Sequence, residues 1–249
     1  LAVALKADEC QIYTDVDGVY TTDPRVCPKA RLLKEVSFEE MLELSSSGAK
    51  VLQLRAVEYA SKFNLPLRVL SSFNKGEGTL VQEEKNIMER PIVSGISSID
   101  SEAKLTMRGV PDIPGVAAKI LSPISEAGIE VDVIVQNISA ENNTDFTFTV
   151  DKADAKKAEA ILQEVSISLE GGSIEVDDDI AKISIVGRGM RAHAGVASKM
   201  FQALAKSEIN ISMITTSEIK ISVVIKKLEM ANAVSALHDA FDLDKELDS

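Results

Sequence analysis

Gly115-Val116-Ala117-Ala118-Lys119 runs on through Gly128-Ile129-Glu130-Val131-Asp132 to Gln136-Asn137. The same pattern returns as Gly195-Val196-Ala197-Ser198-Lys199, Glu208-Ile209-Asn210-Ile211-Ser212 and Thr216-Ser217. The second copy keeps an offset of 80 residues from its first glycine onward. A constant offset with matched residue types marks a duplicated supersecondary unit. Around the first copy the pattern predicts β (104–108), α (116–127), β (130–137), β (144–150), α (153–165) and β (173–176). Asp145 to Val150 alternates as a strand with one buried face should, and Gly171-Gly172 marks the turn before the last strand. The order βαββαβ is that of the ferredoxin-like split unit.

The second copy opens at Lys182-Ile183-Ser184-Ile185-Val186-Gly187. A helix over 196–206, strands over 210–216 and 219–225, and a helix over 230–241 follow. The tail from Asp242 to Ser249 is too polar for a buried strand, so this copy is one strand short. Ile92 to Ile99, after a polar linker at 83–91, is one strand too many. The expectation is that residues 92–102 join 178–249 as one domain, with 103–177 inserted as another. Asp177-Asp178-Asp179 reads as a solvated linker or, less simply, a surface cation site.

A chain of 249 residues, 45% apolar and 27% charged, has room for two or three ordinary domains. Aromatics at 4% and no Trp argue against stacking platforms for single strands. A net charge of −12 argues against a phosphate-backbone partner, so no nucleic acid is expected. Cys10 and Cys27 suit a reducing cytoplasm. No apolar run has the length of a membrane span. Leu1 to Ala7 reads as a helix in mid-course, as if a domain began upstream of a truncated or partial product.

Residues 1–82 alternate strand and helix, the pattern of a mostly parallel sheet covered by helices. Cys10 to Thr14 and Leu67 to Leu70 read as buried strands. A helix starts at Ser37, with Glu40 completing a capping box, and Gly48 breaks it before a second helix over 49–63. In such sheets ligands bind beyond the carboxyl ends of strands, which is where Thr14 to Arg25 lies. Taken alone, its Asp and Gly residues could equally be turning the chain. The loop lacks the ligand spacing of a calcium hand, and the chain has no G-x-x-x-x-G-K-[ST] phosphate loop.

Tyr13-Thr14-Asp15-Val16-Asp17-Gly18-Val19-Tyr20-Thr21-Thr22-Asp23-Pro24-Arg25 resembles the nucleotide-binding segment of aspartokinases. Phe38-Glu39-Glu40-Met41, Gly48-Ala49-Lys50-Val51-Leu52 and Leu70-Ser71-Ser72-Phe73 continue the resemblance, which extends through both repeats to about Leu243. It implies the end of an amino acid kinase domain followed by two ACT domains. It also implies ATP-dependent phosphorylation of the aspartate β-carboxylate, with Mg2+, in lysine, threonine and methionine biosynthesis. Thr14, Asp15, Tyr20, Arg25 and Lys50 fall on the family's ATP-binding positions. The family's Lys-Phe-Gly-Gly segment and its aspartate-binding arginine have no counterpart here. The chain alone is therefore expected to be inactive as a kinase. The alternative is a non-catalytic regulatory subunit.

The resemblance also implies an effector amino acid, threonine or lysine, held between ACT modules, and oligomers built through them. In the first copy its contacts fall on Asp112, Ile113, Pro114, Gly115, Val116, Ala117, Glu130, Val131, Asp132 and Gln136. In the second they fall on Val196, Ala197, Asn210, Ile211, Ser217 and Glu218. A helix mouth with free N–H groups suits a carboxylate, and Asp112 suits an ammonium. The bland reading is a Pro-Gly turn with Asp112 as cap. The second mouth, Gly189 to Ala194, is basic and less suited to an ammonium. His193 and His238 read as solvated residues with no catalytic role.

Overall fold

A computed structural model describes residues 1–84, 92–138, 143–169, 172–193 and 195–245. The chain divides into two compact units, one of residues 100–181 and one of residues 1–99 with 182–249.

In the larger unit, β1 (Cys10–Thr14) pairs in parallel with β3 (Leu67–Ser71). β3 pairs antiparallel with β4 (Thr79–Gln82), and β4 pairs in parallel with β2 (Glu35–Ser37). β2 and β4 are too short for periodicity to reveal, and the sequence reading missed them. Directly after β2, α1 (Phe38–Ser46) begins at the expected cap: the Ser37 hydroxyl accepts from Glu40 N–H, and the Glu40 carboxylate accepts from Ser37 N–H. α1 turns Phe38, Met41 and Leu44 inward, against Val57 and Ala60 of α2 (Leu54–Lys62) and Val69 and Val81 of the sheet.

Two expectations fail here. Residues 1–7 form turns rather than an α-helix; Leu1 and Leu5 are exposed, and among the described residues no partner buries an apolar stripe there. The second helix starts at Leu54 instead of residue 49, since Gly48 is left-handed and Gln53 extended. The linker begins within described residues, but 85–91 lie outside them.

The same unit holds a second sheet, ordered β11-β12-β10-β5. It comprises β5 (Gly95–Ile99), β10 (Ile180–Val186), β11 (Met213–Thr216) and β12 (Lys220–Lys226). β5 pairs antiparallel with β10, setting Ser98 opposite Ile183 and Gly95 opposite Val186. β11 is shorter than the expected 210–216. Helices α5 (Val196–Lys206) and α6 (Met230–Ala240) accompany the sheet, burying Met200, Leu204, Ala233 and Leu237. Val186 belongs to the same apolar cluster as α1 and α2, so this sheet packs directly on the first one's helices.

The smaller unit is one sheet, ordered β7-β8-β6-β9, from β6 (Glu102–Pro111), β7 (Val131–Ile138), β8 (Asn143–Asp151) and β9 (Ser173–Asp177). α3 (Val116–Glu126) and α4 (Ala155–Ser168) cover one face. Leu105, Ile120, Ile124, Phe146, Phe148 and Leu162 form its core, with the two rings edge to face at 6.2 Å. Each buried side chain of this size contributes about 1.5–3 kcal/mol. Among the described residues no helix is long and apolar enough to cross a membrane.

Candidate functional site

The loop that follows β1 is anchored from three sides. At its entry, Ser72 N–H donates to the Thr14 carbonyl at 2.8 Å, holding the carboxyl ends of β1 and β3 together. In its middle, Thr79 Oγ1 accepts from Val19 N–H at 2.8 Å and donates to the Leu33 carbonyl at 2.6 Å. Gly18 permits that approach, since a Cβ there would stand 2.5 Å from Thr79 Oγ1. At its exit, Tyr20 bridges Leu32, and Thr21 N–H donates to the Arg31 carbonyl. Thr79 is fully buried, so Thr79→Val leaves Val19 N–H without its acceptor. The variant should lose about 2 kcal/mol in urea melts, with faster exchange of the Val19 amide.

On this frame Thr14 Oγ1 donates to Asp15 at 3.1 Å. Asp17 accepts from Asn74 Nδ2 at 3.0 Å and from the Tyr20 hydroxyl at 3.4 Å. Partial burial and then the Asp17 charge push the Tyr20 phenol up. Arg25 grips Asp23 with two guanidinium nitrogens, at 3.0 and 2.7 Å, and its side chain is 90% exposed. That pairing holds the Asp23 carboxyl below its usual range. Asp15 lies within electrostatic reach of Arg25. The structure thus gathers Thr14, Asp15, Tyr20 and Arg25 on one loop. Lys50 stands apart, exposed in the turn after α1, with no hydrogen bond or ion pair to that loop among the described residues.

The positions expected to hold an effector divide in each copy. In the first, Gly115 is left-handed at the N-cap of α3, and among the described residues no side chain, Asp112 included, caps the helix. Val116 N–H is already taken by the Ile113 carbonyl, and Asp112, Ile113 and Pro114 are exposed. Thr144 lies opposite both Val110 of β6 and Ile138 of β7, which places Gln136 at the Asp112 end of the sheet. Two strand spacings put β7 about 10 Å from β6. Glu130, Val131 and Asp132 sit at the far end of β7, about 17 Å along the strand from Gln136. In the second copy, Val196 and Ala197 open α5, Asn210 and Ile211 precede β11, and Ser217 and Glu218 follow it. Ser217 N–H closes the β11–β12 turn on the Lys220 carbonyl. His193 Nδ1 lies 2.7 Å from the Gly189 carbonyl, and Ala194 lies outside the described residues.

Comparison with known proteins gives this geometry a context. Residues 1–71 match the model of the amino acid kinase family, and residues 106–165 and 183–241 each match that of the ACT domain. An aspartate kinase of Pseudomonas putida is 62% identical over 245 residues, 98% of this chain and 60% of that protein. A crystal structure of aspartokinase alpha and beta subunits is 49% identical, with a TM-score of 0.57 over 60% of this chain and 99% of the matched one. The chain belongs to the aspartokinase family. It spans about 60% of the length of the curated relatives it matches. Aspartokinase III of E. coli, crystallised with aspartate and ADP and also with lysine and aspartate, is 26% identical. Its TM-scores in those two states are 0.80 and 0.77, over 96% of this chain and 53% of that one.

Within this chain, two sets of contacts that the sequence did not announce tie residues 1–84 to the second-copy strands and helix α6. Glu40, 8% exposed, accepts from Ser94 Oγ at 2.6 Å and from Arg188 N–H at 3.1 Å, in addition to Ser37. The Arg188 guanidinium pairs with Glu39 and Glu84, and Glu43 pairs with Lys220 at 2.7 Å. His238, read as solvated, is instead fully buried, with Nε2 2.9 Å from Thr21 Oγ1. The partner that buries it lies 217 residues away, beyond the reach of any local pattern.

Proposed function

We propose that this chain is the carboxyl-terminal part of an aspartokinase, contributing one side of an ATP site and the amino-acid-sensing region that controls it. The loop from Thr14 to Arg25, held at the carboxyl ends of β1 and β3, carries the reading. Its groups suit a polyphosphate that displaces their present partners: the Thr14 and Tyr20 hydroxyls would turn from Asp15 and Asp17, and the exposed Arg25 guanidinium would exchange Asp23 for phosphate oxygens. Lys50 would add charge if the turn after α1 faces the same ligand. ATP with Mg2+ would supply the phosphoryl group for the aspartate β-carboxylate. The chain's own residues position and neutralise charge, which is what phosphoryl transfer demands of a protein. On this reading the chain alone binds nucleotide weakly and does not turn over.

We assign residues 1–82 to a partial kinase domain, 103–177 to the first ACT domain, and 92–102 with 178–249 to the second, a reading supported by the pairing of β5 with β10. The effector, lysine or threonine, takes its ammonium at Asp112 and its side chain at Gln136. Glu130 to Asp132 and the second-copy positions serve a different contact surface. Exposed Ile134 and Ile214 stand on the edge strands β7 and β11, surfaces suited to joining ACT domains in an oligomer. A regulatory subunit is the second reading, favoured by the 99% coverage of a matched subunit chain.

Calorimetric titration with ADP·Mg2+, lysine and threonine tests both. Arg25→Ala should weaken nucleotide binding about ten-fold, and Asp112→Ala should weaken amino acid binding by a similar factor. An amino acid bound with no nucleotide at any concentration would favour the regulatory subunit. Absence of any amino acid binding would defeat the effector assignment.

A further inference from the structure

The duplicated module supplies its own control for His238. Ala158 and Leu162 of α4 and Ala233 and Leu237 of α6 are all fully buried at matching positions, an offset of 75. That offset aligns His238 with Gln163, which is exposed. The module itself therefore turns this position outward. His238 is buried because the loop from Tyr20 to Arg31 lies over it: Nε2 meets Thr21 Oγ1, and Lys29 reaches Asp239 at 2.8 Å.

Thr21 is the hub of that contact. Its hydroxyl also accepts from Arg31 N–H at 3.0 Å, its N–H donates to the Arg31 carbonyl, and its carbonyl accepts from Ile96 N–H of β5 at 2.7 Å. One residue of the nucleotide loop is thus held by both β5 and α6. We propose that His238 is a positioning residue for the nucleotide loop, and that a second proton on its imidazole weakens its hold on Thr21. The proposal rests on the nucleotide reading of the Thr14–Arg25 loop.

The chemistry follows from the inventory of partners. Thr21 Oγ1 has one hydrogen to give, and its lone pairs serve Arg31 N–H, so it completes a bond with either neutral tautomer of His238. Nδ1 has no hydrogen-bond partner among the described residues. A second proton would place an unpartnered N–H in the interior and turn the Thr21 contact into one that can only accept. Asp239 on α6 and Asp244 beyond it favour the cation, while Lys29 and Arg31 across the contact oppose it. β5 offers no titratable side chain, and Lys199 of α5 is turned over the Phe241 ring. Burial outweighs the two carboxylates and pulls the imidazole below its ordinary value. A lowered folded-state value means that the unfolded chain takes the proton first. The stability contributed is complete above about pH 6.5 and is lost as pH falls below it.

The test compares wild type, His238→Gln and His238→Leu at pH 7.5 and 5.5. It measures ADP·Mg2+ affinity together with amide exchange at Thr21 and Leu33. Glutamine keeps a hydrogen-bonding end for Thr21 and cannot titrate. Wild-type affinity should fall at least three-fold at the lower pH, His238→Gln should stay level, and His238→Leu should be weak at both. Wild type and His238→Gln sharing one pH profile would overturn the proposal, as would a folded His238→Leu that binds like wild type at pH 7.5. If no variant binds nucleotide, the nucleotide reading fails and exchange alone decides the role of His238. The wild-type to His238→Gln rate ratio at Thr21 and Leu33 should then rise at least three-fold from pH 7.5 to 5.5. An unchanged ratio would refute the positioning role.

Discussion

Glu40→Ala is expected to destabilise the larger unit by about 3 kcal/mol, because three different segments spend hydrogen-bond donors on one buried carboxylate. Ser37 N–H and hydroxyl meet Oε2, while Ser94 Oγ and Arg188 N–H meet Oε1. Truncation removes the reciprocal half of the α1 cap and leaves the other donors facing a void. For a unit of this size the loss corresponds to about 6–12 °C in a thermal melt. Glu40→Gln is expected to cost roughly half as much, since one amide oxygen satisfies one side and the amide nitrogen confronts N–H donors on the other. Arg188 should then loosen as well, because its guanidinium leans on Glu39 and Glu84 from a backbone that Glu40 holds. An alanine variant melting with wild type would show that the clasp contributes nothing.

That clasp also explains what could and could not be read from residues alone. The Ser37–Glu40 capping box is local, three positions long, and the chain announces it. The remaining two partners of Glu40 lie 54 and 148 residues away, and nothing near Glu40 hints at them. The offset of 80 holds only from Gly115 and Gly195 onward, so the repeat carries no information about Arg188, which precedes it. His238 fails for the same reason: periodicity reports which side of a helix faces its own sheet, not what another segment lays across the other side. The repeat, the βαββαβ order and the loop after β1 were legible because each is a short-range pattern. The effector set was legible only as a string of positions. Along β7 those positions are spread over about 17 Å, a separation that pleat geometry imposes and residue identity hides.

Gly48→Ala should cost about 3 kcal/mol, the effect of a single methyl group. Gly48 ends α1 at φ +109, where an L side chain is strained, and Ala49 N–H returns to the Leu44 carbonyl as a Schellman closure requires. An added Cβ would also stand 2.5 Å from the Ser98 carbonyl of β5 and 2.7 Å from Ile99. The obstruction is backbone in a paired strand, so it cannot swing aside as a side chain would. Relief must come from moving the turn, and Lys50 is two residues along it. Gly76→Ala is the matched control, since a Cβ there meets nothing within 4 Å and the substitution should be near neutral. Urea melts of the two variants separate strain from the general cost of replacing glycine, and equal midpoints would refute the contact. If Lys50 serves the nucleotide, Gly48→Ala should further weaken ADP·Mg2+ binding while the protein remains folded. Lys50→Ala in the same titration would then show whether the ammonium or the turn is responsible. The β5 backbone would in that case support both the Thr21 loop, through Ile96, and the Lys50 turn, through Ser98. A shift of that one strand would reach both parts of the site together.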